Sequence, residues 1–123
     1  MSLQAFPDSK RLRTSTEFDL VFKNNQYRVS TPEFLFLAKE NQVKMKRLGM
    51  VVAKRNTTRA VDRNCLKRLI REVFRCVELP SLDIVVLTRS RANGRSNSAL
   101  TDILEQSFGS LSMQFTNHGK VHK

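Results

Sequence analysis

The stretch from Lys54 to Arg75, KRNTTRAVDRNCLKRLIREVFR, limits the folds open to this chain more than any other. Leu66, Leu69, Ile70, Val73 and Val77 recur at three- and four-residue steps, which puts them on one face of a helix. Arg63, Lys67, Arg71 and Arg75 step by four along another face, with Asn64 and Arg68 beside them. Such a helix has to bury one side on a core and leave the other in water. With Lys54, Arg55 and Arg59 the stretch holds eight basic residues, against the two acids Asp62 and Glu72. A merely solvated face mixes signs. This one scarcely does, which favours a polyanion site.

At 123 residues the chain fits one domain, and 40% apolar content suits a core that needs no disulfide or metal. The net charge of +11 speaks about partners rather than fold, and points to nucleic acid or an anionic membrane surface. No apolar run reaches the length of a membrane span. The N-terminus, MSLQAFPDSKRLR, lacks an apolar signal core, so a cytoplasmic location is expected. Cys65 and Cys76 are the only cysteines. On one helix they are separated by roughly 16 Å of rise, beyond the ~7 Å Cα limit of a disulfide. Buried or half-buried free thiols are expected. A zinc site is not, because the only histidines, His118 and His122, lie in a polar tail.

Taken in order, residues 1–13 are a basic lead-in. Thr14 and Glu17 have capping-box spacing, predicting a helix to about Lys23 with Phe18, Val21 and Phe22 on its apolar side. Three strands follow, at 26–30, 33–38 and 47–53, with 39–46 as a polar hairpin loop. The second, EFLFLA, is apolar on both faces, so it is covered twice or lines a groove. The basic helix runs from near Arg59 to before Pro80, and LDIVVLT at 82–88 reads as a buried strand. Residues 89–97 read as a flexible cationic loop. A last helix is expected over 98–110, with Ala99, Leu100, Ile103, Leu104 and Phe108 as its stripe, and 112–123 as a loose tail. The order α-β-β-β-α-β-α predicts a small α+β sandwich, one four-stranded sheet with helices packed on it.

Catalytic groups are scarce. There is no G-x-S-x-G elbow, no phosphate-binding glycine loop, and no histidine in the expected core. The carboxylates Asp19, Asp62, Glu72, Asp83 and Asp102 are scattered. Binding is what these residues suit, since arginine forks grip phosphate oxygens in pairs and lysine adds a point charge. Single strands also favour rings that stack on bases beside a cationic track, and Phe18, Phe22 and Phe36 are candidates.

The block AVDRNCLKRLIREVFR at 60–75 resembles the signature of the protein subunit of bacterial ribonuclease P, A-V-x-R-N-x-x-K-R-x-x-R-E. FPDSKRLRTSTEFDLVF at 6–22, LGMVVAKR at 48–55 and LDIVVLTRS at 82–90 resemble other family segments in the right order. One departure stands out: Cys65 occupies the third position of the family's Arg-Asn-Arg run, while Arg63 and Asn64 remain.

The resemblance implies that an RNA subunit performs the hydrolysis with Mg²⁺ held mainly by RNA, and that the protein supplies no catalytic residue and no metal site. It implies binding of that RNA, one protein per RNA, through Lys54, Arg55, Arg59, Arg63, Asn64, Lys67, Arg68, Arg71 and Arg75. It further implies a cleft between the basic helix and the sheet for the 5′ leader of precursor tRNA. Phe18 and Phe22 would line it, with Phe36, or alternatively Leu37 or Phe34, from the second strand, and Lys67 and Arg71 from the helix. A left-handed crossover from the third strand through the basic helix to the fourth is implied as well, against the general rule. The alternatives are a ribosomal-type RNA-binding protein with no processing role, and a peripheral membrane binder. The last is disfavoured because the helix's apolar face has a sheet to cover.

Overall fold

A computed structural model describes residues 15–121. The basic lead-in 1–13 and the Thr14 cap lie outside the described residues. The elements are α1 (Ser15–Asn24), β1 (Tyr27–Ser30), β2 (Phe34–Glu40), β3 (Arg47–Val51), α2 (Ala60–Cys76), β4 (Leu82–Thr88), a 3-10 turn (Ser90–Ala92) and α3 (Asn97–Val121). The α-β-β-β-α-β-α order is the expected one.

Alternation along the strands divides the apolar residues between two faces. Phe34, Phe36 and Ala38 of β2 and Leu82, Ile84 and Val86 of β4 point to one side, where Leu66, Ile70, Val73 and Phe74 of α2 and Leu100, Leu104, Phe108 and Leu111 of α3 close the main core. Leu37 and Val85 point to the other side, under Val21 of α1. Phe108 meets Phe36 and Phe74 edge-on, with ring centroids 5.4 and 5.8 Å away. Phe74 thus belongs to the buried seam of α2 beside the expected Leu66, Ile70 and Val73.

The sheet order is β1-β2-β4-β3, so β2 and β3 are not the hairpin that their loop suggests. β4 inserts between them, antiparallel to β2 and parallel to β3. An almost wholly apolar strand is buried on both faces, and the middle of the sheet is where both faces are covered.

One hydrogen bond gives the hand of the β3–α2–β4 crossover. On a strand of L-residues running upward, a side chain facing the observer has its own N–H and C=O to the right. Ala38 faces α2 and α3, and its carbonyl accepts the Gln26 N–H at 2.8 Å, so β1 lies to the right of an upward β2. Turned so that β3 and β4 run upward, with α2 still in front, β4 lies to the left of β3. The crossover is left-handed, as the resemblance implies and contrary to the usual preference.

The expected loose tail is largely helix. α3 continues through Val121, and Leu111 and Phe115 extend its stripe. Gln114 donates to the Arg28 carbonyl (2.9 Å) and accepts the Arg28 N–H (3.1 Å), covering part of the free edge of β1. Lys46 Nζ donates to the Phe74 and Val77 carbonyls at the end of α2 (2.6 and 2.5 Å), where a cation also suits the helix dipole. Tyr27 donates to Glu40 at 2.7 Å, and burial, with that bond, pushes its pKa up to about 12.

Phe108→Ala should cost about 3–5 kcal/mol of stability, because it opens a cavity between the Phe36 and Phe74 rings. Phe22→Ala, at an exposed ring, should change stability by about 0.5 kcal/mol or less. Urea denaturation of the two variants checks the contrast.

Candidate nucleic-acid interface

Two surfaces carry the expected site residues, and they lie on opposite faces of the sheet. The first is the outer side of α2. Asn64, Arg68 and Arg75 are exposed along it, as are Lys54, Arg55 and Arg59 before it. Arg63, Lys67 and Arg71 are half-buried on the flank turned away from α3, beside the free edge of β3. Arg63 is partly structural: one guanidinium nitrogen donates to the Thr57 (3.0 Å) and Thr58 (2.8 Å) carbonyls, folding the loop that leads into α2. Arg75 pairs with Glu72 at 2.6 Å and Arg59 approaches Asp62 at 3.9 Å. Both pairs are exposed, so they hold these arginines only weakly.

The second surface is a half-covered sheet face. α1 crosses one end of it, from Arg47 of β3, which meets Glu17 at 3.3 Å, to Gln26 just before β1. Under this end Val21, Leu37 and Val85 are buried, while Leu35, Val51 and Leu87 toward the other end are only half-buried. At 100° per residue Phe18 and Phe22 lie on the flank of α1 opposite Glu17. They therefore overlook the open end. Phe18 packs against the cluster, and Phe22 is 39% exposed. The result is a shallow groove with an apolar floor, an aromatic wall and basic connections at its end. Lys54 and Arg55 follow β3, and Arg89 follows β4 with its guanidinium donating to the Thr31 carbonyl at 2.7 Å.

Three expectations change here. Phe36 is fully buried in the α2–α3 core, and Phe34 with it, so neither lines a cleft; on β2 it is Leu35 and Leu37 that face α1. No cleft separates α2 from the sheet, because Leu66, Ile70, Val73 and Phe74 fill that seam. Lys67 and Arg71 lie on α2, on the sheet face opposite the groove. Both cysteines are exposed rather than buried.

The sequence reading also missed what fixes α1. Arg47 makes a two-pronged bond to Asp83, both arms at 2.8 Å, and turns a third nitrogen to Glu17. Asn41 adds a bond to Asp83 at 2.7 Å. The Asp83 carboxylate holds the Arg47 pKa above its ordinary value. Only the strand register brings Arg47 opposite Asp83, which no local pattern announces. The 89–97 segment is likewise tied down: Arg95 bonds the buried Glu33 at 2.9 Å, and Asn93 bonds Thr57 and Asn56.

Fold and surface together define a small α+β protein with one cationic helix face and one aromatic-walled groove. The family model described as Ribonuclease P matches residues 6–112. The ribonuclease P protein component of Acinetobacter baylyi is 39% identical over 98% of this chain and 94% of its own length. That of Serratia proteamaculans is 43% identical over 83% of this chain and 87% of its own. Among solved structures, a mutant of the Staphylococcus aureus RNase P protein with defective mRNA degradation activity superposes with a TM-score of 0.75 at 27% identity, covering 80% of this chain and 85% of that one. The Thermotoga maritima RNase P protein gives 0.67 at 30% identity, covering 78% and 96%. The chain belongs to the bacterial ribonuclease P protein family. Membership makes it a subunit of a tRNA-processing endoribonuclease and a partner of the ribonuclease P RNA. No helix among the described residues is long and apolar enough to cross a membrane.

Arg47→Ala would leave the buried Asp83 carboxylate without its cation and should cost about 3 kcal/mol or more. Arg68→Ala, on the exposed face of α2, should stay within about 0.5 kcal/mol of wild type. Thermal melts of both variants test this difference.

Proposed function

We propose that the two surfaces serve two RNAs. The outer face of α2, with Lys54, Arg55, Arg59, Arg63, Asn64, Lys67, Arg68, Arg71 and Arg75, binds the ribonuclease P RNA subunit. The groove beside Phe18 and Phe22 holds the single-stranded 5′ leader of precursor tRNA. The observation that carries this reading is the incomplete cover of the α1 face: an apolar floor left open next to two aromatic rings and basic loops.

The chemistry differs between the two. A structured RNA offers a phosphate surface, and arginines spaced along a helix meet it without reading sequence. A single strand offers unstacked bases as well, which gain about 1–3 kcal/mol each by stacking on aromatic side chains. Phe22 presents an accessible ring, Phe18 a partly covered one, and Leu35, Val51 and Leu87 give an apolar floor. Lys67 and Arg71, at the β3 edge, stand where a strand leaving the groove would pass toward α2. In this reading the RNA subunit carries out phosphodiester hydrolysis with Mg²⁺ bound mainly by RNA, in the cytoplasm, with one protein per RNA. The protein's own residues bind and orient.

Adding the protein to a bacterial ribonuclease P RNA should allow precursor tRNA cleavage at low Mg²⁺. Tight RNA binding without stimulation would favour the ribosomal-type reading instead. The logarithm of affinity should fall with the logarithm of salt by about 0.7–0.9 per phosphate contacted. Phe22→Ala should weaken precursor tRNA binding by about 1–3 kcal/mol while sparing mature tRNA. Equal losses for both would contradict the leader assignment.

A further inference from the structure

The flank of α2 facing α3 carries a cavity that shares only Arg59 with the proposed contacts. It has a volume of about 380 Å³ and opens between the start of α2, the loop after β4 and the start of α3. That size falls within the range of small-ligand sites, roughly 300–1,000 Å³. Its floor is apolar, made by the buried side chains of Leu66, Ala92 and Leu100. Its rim is polar and exposed: Arg59, Asp62, Cys65, Arg95 and Asn97.

The walls are built before any ligand arrives. Thr57 Oγ1 donates to Asn93 Oδ1 at 3.2 Å, and Asn93 Nδ2 donates to the Asn56 carbonyl at 2.6 Å. Arg95 is anchored through one nitrogen on Glu33, whose side chain is only 4% exposed, while Arg95 itself is 48% exposed. Gly94, at φ +83°, has open space where a side chain would stand. At the lip, Cys65 is short where the resemblance implies a long arginine, so the mouth stays open.

We propose that this cavity takes one unpaired nucleotide of the RNA partner, an inference that rests on the RNA-binding reading above. A base is the occupant that matches all parts of the site. Its flat apolar face suits the Leu66–Ala92–Leu100 floor. Its amino or imino N–H groups suit the Asp62 carboxylate, and its ring acceptors suit the Asn97 amide. Its phosphate falls to Arg59 and Arg95 at the rim. The cavity is continuous with the cationic surface of α2 through Arg59, so a nucleotide flipped from an RNA lying on that surface has a short path in.

The two cysteines make the test direct, because both are exposed on the same helix and only Cys65 lines this cavity. Iodoacetamide alkylation is followed by mass spectrometry, with and without a ribonuclease P RNA transcript, alongside filter binding. RNA should slow alkylation of Cys65 several-fold and leave Cys76 unchanged. Cys65→Trp, which plugs the mouth, should weaken RNA binding about tenfold, the size of one lost base stack. Cys76→Trp should not weaken it. Full RNA binding with an unprotected Cys65 overturns the proposal and leaves the RNA-binding reading intact. Protection of Cys65 with normal RNA affinity in Cys65→Trp overturns it too, since the RNA then only covers the surface. Failure of the wild-type protein to bind RNA overturns both.

Discussion

Phe108 of α3 stands between Phe36 of β2 and Phe74 of α2, edge-on to both. This three-ring contact ties the sheet to both long helices. Because it fills the space beneath α2, the basic helix has a single way to sit, with Leu66, Ile70 and Val73 inward and its arginines outward. The cationic surface follows from an apolar constraint. A helix with so many like charges on one side gains little from local ion pairs, as the exposed Arg59–Asp62 and Arg75–Glu72 contacts illustrate. Burial of the opposite side is what holds it in place.

The other face of the sheet is organised by incompleteness. The described part of α1, Ser15–Asn24, lies across one end. The Arg47–Asp83 pair and its contact to Glu17 hold it there, which leaves Leu35, Val51 and Leu87 half-covered. The ion pair does more than add stability. It sets which flank of α1 looks onto the open floor, and so which rings are available. The left-handed β3–α2–β4 crossover then places the basic helix on the face opposite this groove, with the β3 edge as the path between them.

Much of this was legible in the sequence. The basic helix and the element order were readable because 3.6- and two-residue periods are local. The signature at 60–75 named the family, and the family model agrees with it. What failed needed information that is not local. EFLFLA is apolar on both faces, so nothing in it says which face closes, and Phe36, expected at the groove with Leu37 or Phe34 as alternatives, lies in the core. The insertion of β4 between β2 and β3 is a choice of partner, invisible to either strand alone. The end of α3 departs from its expected bound for a different reason. Leu111 and Phe115 continue the helical spacing of Phe108, but the polar residues from 112 onward read as a tail.

In the proposed function, opposite faces of one thin sheet meet different RNAs. Phe22→Cys and Arg68→Cys, each made in a Cys65→Ser, Cys76→Ser background and labelled with a photo-cross-linker, test it in the reconstituted holoenzyme with precursor tRNA. The label at 22 should join leader nucleotides upstream of the cleavage site, while the label at 68 should join the RNA subunit. Labels at both positions joining the RNA subunit alone would contradict it.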